Sequence, residues 1–287
     1  MLKDSLTRYI FNDMSVRGEL VQLTQTYNDI LENHHYPLPV KNLLGELLVA
    51  TSLLTATLKF KGSITVQLQG DGPVTVMVVN GTHEQKLRGI ARVNGDVDEN
   101  DDIHQLMGKG ILVITITPEK GERYQGIVAL DGKNLSEILE NYFIHSEQLQ
   151  TRIWLRQDDT HAAGMLLQIL PAKQLNQYDF EHLEQLTDTI KNEELFSLEP
   201  QEILYRLYHQ ESVQLFPSQG IEFVCTCSRK KCEDAIVTLP KDEVADILKK
   251  EGKISMNCDY CGTHYEFDTI DVAGLYKQAM PKNTQKH

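Results

Sequence analysis

Residues 40–79, VKNLLGELLVATSLLTATLKFKGSITVQLQGDGPVTVMVV, hold both kinds of element from which the fold is built. From Val40 to Phe60, leucines stand at 43, 44, 47, 48, 53, 54 and 58, with small Ala50, Ser52 and Ala56 between them. A run that is apolar nearly all round predicts a core helix covered on most sides. Pro37 and Pro39 mark its start. Between Glu46 and Lys59 the apolar run is shorter than the roughly 20 residues needed to cross a bilayer. The period then changes to two. Ile64–Leu68 and Val74–Val79, separated by Gly70-Asp71-Gly72-Pro73, predict a strand meander.

The meander continues through 87–93 after Asn80-Gly81. Segments 111–117 and 124–130 predict a hairpin around Pro118–Glu122, and a helix over 136–146 precedes strands at 152–156 and 165–170. Upstream, residues 5–32 show helical spacing in places. The expected fold class is α+β, with an N-terminal domain of helices and a mainly antiparallel sheet. Gly70-x-Gly72 and Gly108-x-Gly110 lack the following helix of a phosphate loop and are expected to be turns. Acidic residues 96–102 lack calcium-loop spacing and are expected to form a solvated loop.

From about Gln174 the chain turns polar and acidic. Phe180, Leu183, Leu186 and Ile190, then Ile203, Leu204, Leu207 and Tyr208, form narrow apolar stripes on helices that need a surface to lie on. The expected organisation is a core domain over 1–173, a metastable helical linker over 174–221 and a small cysteine domain over 222–287.

Composition narrows the function. The 287 residues carry a formal net charge of −13, with 18 basic and 30 acidic side chains in 1–221 and 10 and 11 in 222–287. Neither part has the clustered basic excess that replaces phosphate counterions, so no nucleic-acid partner is expected. Arg229-Lys230-Lys231 is the best basic patch, read as a solvated loop. The first eight residues lack an apolar signal region, so a cytoplasmic protein with no membrane partner is expected. The sequence shows no Ser/His/Asp or paired-carboxylate arrangement, hence no enzyme signature.

All five cysteines lie between 225 and 261, unlike the scattered cysteines of a secreted disulfide scaffold. Cys225-Thr226-Cys227 and Cys258-Asp259-Tyr260-Cys261-Gly262 flank thirty residues. Two close thiol pairs suit one tetrahedral Zn2+ ion. Such a site could be purely structural, as in a zinc-dependent nucleic-acid or protein adaptor. A dithiol oxidoreductase needs its nucleophilic cysteine at a helix N-terminus, whereas Cys261 runs into a turn and a strand. Cys232 and His264 are surplus to a four-sulfur centre. Zinc-bound sulfurs lie roughly 3.7 Å apart, and a disulfide requires about 2.05 Å, so the two states exclude each other.

The CTC at 225–227, the CDYCG at 258–262 and the stretches VRGEL (16–20), LLVATSLLTATLKF (47–60), ITVQLQGDGP (64–73) and GERYQG (121–126) closely resemble the redox-regulated chaperones named heat shock protein 33. That resemblance spans nearly the whole chain. It implies an ATP-independent holdase that is inactive when reduced and zinc-bound, and active as a dimer after oxidation by peroxide or hypochlorite together with heat. It further implies one zinc per chain on Cys225, Cys227, Cys258 and Cys261, and disulfides Cys258–Cys261, then Cys225–Cys227 once the linker unfolds. Unfolding client proteins are expected to bind apolar surface on the core domain and linker.

Overall fold

The computed structural model describes residues 4–58, 61–170 and 177–279, and the chain divides into two units, Met1–Val224 and Cys225–His287. The first unit opens with an antiparallel hairpin, β1 (Ser5–Phe11) and β2 (Val16–Leu23), rather than a helix. The helical spacing seen over 5–32 holds only in α1 (Gln25–Leu31). Upstream, Tyr9, Phe11, Val16 and Leu20 serve one apolar cluster while Leu6, Val21 and Leu23 serve another. A strand buried on both faces loses its period-two contrast, which is why the hairpin reads ambiguously.

The expected core helix is α2 (Leu38–Ala56), followed by β3 (Gly62–Gly70), β4 (Val74–Thr82) and β5 (Lys86–Val93). Asp102, the last residue of the acidic stretch, caps a short helix that its composition concealed, α3 (Ile103–Met107). Its carboxylate accepts from the amides of His104 and Gln105, and Gln105 returns a bond to the Asp102 amide. Next come β6 (Gly110–Pro118), β7 (Tyr124–Ala129) and α4 (Leu135–Tyr142), which runs into a π-helical turn over Phe143–Glu147. β8 (Thr151–Gln157) and β9 (Ala162–Ile169) precede α5 (Gln177–Thr187), α6 (Asn192–Ser197) and α7 (Pro200–Tyr208). Short strands β10 (Val213–Leu215), β11 (Gln219–Gly220) and β12 (Glu222–Phe223) complete the unit.

Two sheets result. One has the order β10-β1-β2-β9-β8, with β11 also paired to β1; the other has the order β12-β5-β4-β3-β6-β7. All pairings are antiparallel except β12 with β5. α2 lies between the sheets, touching β2, β8 and β9 on one side and β3, β4 and β5 on the other. It is long and apolar enough to cross a membrane, but it is largely buried between the two sheets, so it is a core helix. Its buried hydroxyls are satisfied: Thr51 donates to the Leu47 carbonyl, Ser52 donates to Gln85, and Gln85 donates to Thr55. The two Gly-rich pieces are turns that meet each other. The Gly72 amide donates to the Met107 carbonyl at 3.0 Å, and a Cβ on Gly70 would come within 1.9 Å of that oxygen.

The other face of the first sheet is covered by α5, α6 and α7. Phe180, Leu183, Ile190, Leu195, Ile203, Leu204, Leu207 and Tyr208 pack on Tyr9, Phe11, Val16, Leu20, Trp154, Met165 and Leu167. Tyr208 meets Phe11 edge-on at 5.0 Å between ring centroids. Polar contacts are few and directed: Trp154 Nε1 donates to Asp188 at 2.7 Å, Gln22 donates to the carbonyls of Leu195 and Leu198, and Arg152 bridges Glu140 and Glu184. The boundary expected at 173/174 lies outside the described residues.

Leu47 is fully buried between the sheets. Leu47→Ala should lower stability by about 2–5 kcal/mol through lost burial and a residual cavity. Urea unfolding followed by circular dichroism checks this; an unchanged midpoint would contradict the packing described.

Candidate metal centre

The second unit consists of α8 (Arg229–Thr238), α9 (Lys241–Glu251), β13 (Lys253–Asn257), β14 (His264–Asp268) and α10 (Thr269–Ala279). Its core is small: Ile236, Val244, Ile254, Phe267 and Val272 are buried, with Cys232, Met256 and Tyr265 among the side chains packed around them. Ser228 caps α8 by accepting from the Lys231 amide. Arg229-Lys230-Lys231 is therefore the first turn of a helix and not a loop. Its charges are engaged: Arg229 pairs with Asp271 and lies over the Phe267 ring, Lys230 pairs with Asp234, and Lys231 Nζ donates to the Thr226 carbonyl.

Cys225 and Cys227 lie on an extended segment before α8, and Cys258 and Cys261 lie on the turn between β13 and β14. That turn closes with two backbone bonds, Gly262 N to Cys258 O and Cys258 N to Thr263 O, both 2.9 Å. Gly262 has φ +68°, a left-handed conformation that glycine adopts without strain. This is the physical reason for glycine after the second cysteine.

The four Sγ atoms all lie within 4.8 Å of one another. Contacts of 3.5 Å join Cys225 to Cys258 and Cys227 to Cys261. A tetrahedral ion with metal–sulfur bonds of about 2.3 Å requires sulfurs roughly 3.7 Å apart, so the donor set fits a thiophilic metal with little rearrangement. All five cysteines are free thiols. Cys232 lies on α8 outside the cluster, and His264 bonds instead to Asn257 and Glu266. Neither C-x-x-C thiol stands at a helix N-terminus, as a dithiol oxidoreductase would require.

Around the sulfurs are polar groups that cysteine spacing does not reveal. Tyr265 donates its hydroxyl to Cys227 Sγ at 3.2 Å, and Thr263 Oγ1 lies 3.1 Å from Cys261 Sγ. Burial pushes the Cys225 thiol up to about 12 and raises Cys258 as well. At Cys261 burial works the other way from the bonds made by the Thr263 hydroxyl and amide and by Cys227, and the bonds bring it down to about 6. In the metal-free centre burial thus favours the protonated thiol at Cys225 and Cys258, while the bonds at Cys261 favour its thiolate.

A metal takes thiolates, so its binding must displace those protons. Apparent zinc affinity should therefore strengthen as the buffer is raised from about pH 6 to about pH 8, with net proton release. Calorimetry in buffers of different ionisation enthalpy measures the release; pH-independent binding would contradict this thiol assignment.

A family model described as "Hsp33 protein" matches residues 4–268. The chain is 61% identical to a 33 kDa chaperonin of Aliivibrio fischeri over 291 residues, covering 100% of each chain. It is 58% identical to a 33 kDa chaperonin of Cronobacter sakazakii over 288 residues, covering 99% of each. The fold is similar to the crystal structure of the 33 kDa chaperonin, heat shock protein 33 homolog, of Thermotoga maritima, with TM-score 0.82 and 24% identity over 96% of this chain and 98% of that one. With that match running from the first strand to the last, through both cysteine motifs, the chain belongs to the Hsp33 family of chaperones.

Proposed function

We propose that this chain is a redox-regulated, ATP-independent holdase of the bacterial cytoplasm. The observation that carries the reading is the pairing of a four-thiol cluster with an apolar sheet face covered only by short amphipathic helices. In the reduced state Cys225, Cys227, Cys258 and Cys261 hold one Zn2+ ion. Bound zinc would supply a cross-link between the two cysteine motifs and neutralise thiolate charge. Oxidation converts Cys258 with Cys261, and then Cys225 with Cys227, into disulfides, each step taking two thiolates, two protons from solvent and one hydrogen peroxide to one disulfide and two waters, with the zinc ion released. A pair drawn to about 2.05 Å no longer offers metal ligands.

Among its described residues the second unit has five buried apolar side chains to stabilise it without the metal. Structural zinc contributes an apparent ~10–16 kcal/mol to folding in small peptides, comparable with the ~5–15 kcal/mol that holds a whole domain together. Its loss unfolds the second unit. The linker, which leads into Cys225, then detaches and exposes the face containing Tyr9, Phe11, Trp154 and Met165. An exposed apolar face of this kind binds unfolding client proteins and a second oxidised copy of the chain.

The test measures suppression of light scattering from a thermally unfolding client, comparing reduced zinc-loaded protein with peroxide-treated protein while released zinc is followed. Activity that appears with zinc loss and disappears on reduction supports the switch. Equal protection by the reduced protein, or loss of its only binding activity on oxidation, rejects it in favour of an adaptor with a structural zinc site. Trp154 is the only tryptophan, is buried, and donates to Asp188 at 2.7 Å. Its emission should shift to the red as activity appears.

Leu204→Asp places a charge under α7, where Leu204 is buried against the sheet. The reduced, zinc-loaded variant should suppress aggregation without oxidant. If it stays inactive although its Trp154 emission shows the helices released, that face is not where clients bind.

A further inference from the structure

We propose that Tyr265 is a positioning residue that holds Cys227 in the four-sulfur cluster and thereby sets how tightly a thiophilic metal ion is retained. The inference rests on the metal centre proposed above. Cys227 lies on an extended segment outside any helix or strand, whereas Tyr265 is fixed in β14, paired across the hairpin with Met256 and packed against the core of the second unit. The hydroxyl of Tyr265 reaches Cys227 Sγ at 3.2 Å across 38 residues of sequence. Besides the cluster itself, it is a direct tie between the C-x-C segment and the hairpin that carries Cys258 and Cys261.

Two physical effects follow. A hydroxyl donating to a thiolate disperses its negative charge, which matters where four sulfurs share one divalent ion and carry a net charge of −2 together with it. The bond also fixes the rotamer and position of Cys227, so less freedom is lost when the fourth ligand engages. Groups that orient metal ligands in this way typically change metal affinity by about 10–100-fold when removed. Cys261, by contrast, has a hydroxyl partner within its own turn, Thr263.

Tyr265→Phe deletes the hydroxyl and keeps the ring. Reduced full-length protein loaded with zinc is titrated with a chromogenic chelator, and the variant should give up its ion at least about 10-fold more readily than the parent chain. His264→Ala, a neighbour whose ring bonds Asn257 and Glu266 rather than sulfur, should behave like the parent. The second readout is cobalt substitution. Loss of an O–H donor raises the sulfur lone pair in energy, so the sulfur-to-cobalt charge-transfer band should move to longer wavelength in Tyr265→Phe, whatever the stability of the variant. Unchanged zinc retention overturns the proposal, as does weaker retention with an unmoved cobalt band, which assigns the ring to packing alone. Failure of the parent chain to take up one ion overturns the metal centre itself, an outcome distinct from a parent and variant that bind equally.

Discussion

Burial of the outer face of the β10-β1-β2-β9-β8 sheet beneath three short helices is the contact on which the first unit depends. α5, α6 and α7 span 11, 6 and 9 residues, below the roughly 12–15 residues at which even favourable isolated helices become marginal in water. Their order is therefore borrowed from the sheet, through Tyr208 against Phe11 and Tyr9 and through Phe180, Leu183 and Leu204. The dependence is mutual, because Tyr9, Phe11 and Trp154 are kept from water by those same helices. The opposite face of the sheet packs on α2, which has the second sheet behind it.

The second unit is built on a different economy. Among the described residues five buried apolar side chains form its centre, and two of them, Ile254 and Phe267, face each other across the β13–β14 hairpin. Chains below about 40 residues usually need a metal, disulfides or a partner, and slightly larger ones are marginal. The fifty-odd described residues from Cys225 to Ala279 fall near that limit. A metal held by the four converging thiols would supply stability that so small a core lacks.

Legibility in the sequence followed contrast between faces and periods. α2 and the β3–β7 meander announce themselves because a helix covered all round and strands covered on one face carry distinct patterns. β1 and β2 do not, since sheet, α2 and linker helices bury both their faces. α3 was hidden by the acidic composition of its approach, although Asp102 followed three residues later by Gln105 is a capping-box signature. In the metal centre the four sulfurs were legible from spacing because metal geometry restricts it. Tyr265 was not: a tyrosine alternating along a strand looks the same whether its hydroxyl meets water or Cys227. Likewise, Arg229-Lys230-Lys231 reads as a charge run until Ser228 is seen to cap a helix.

The separation of the two motifs gives the cluster its leverage. Thirty residues, including α8, α9 and β13, lie between Cys227 and Cys258. A cross-link closing a loop of that length removes unfolded-state freedom worth about 3–4 kcal/mol on a chain-entropy estimate. Disulfides formed within Cys225-Thr226-Cys227 and within Cys258–Cys261 close loops with only one and two intervening residues, which constrain almost nothing at long range. On the proposed switch the disulfide count would rise by two while the long-range tether would be lost. On the proposed pairing, oxidation, which in most small domains adds stability, would remove it here, because the new bonds would be local where the metal's were not. The contrast between the 3.5 Å contacts that run from one motif to the other, Cys225 to Cys258 and Cys227 to Cys261, and the disulfides proposed within each motif is the geometric form of that inversion.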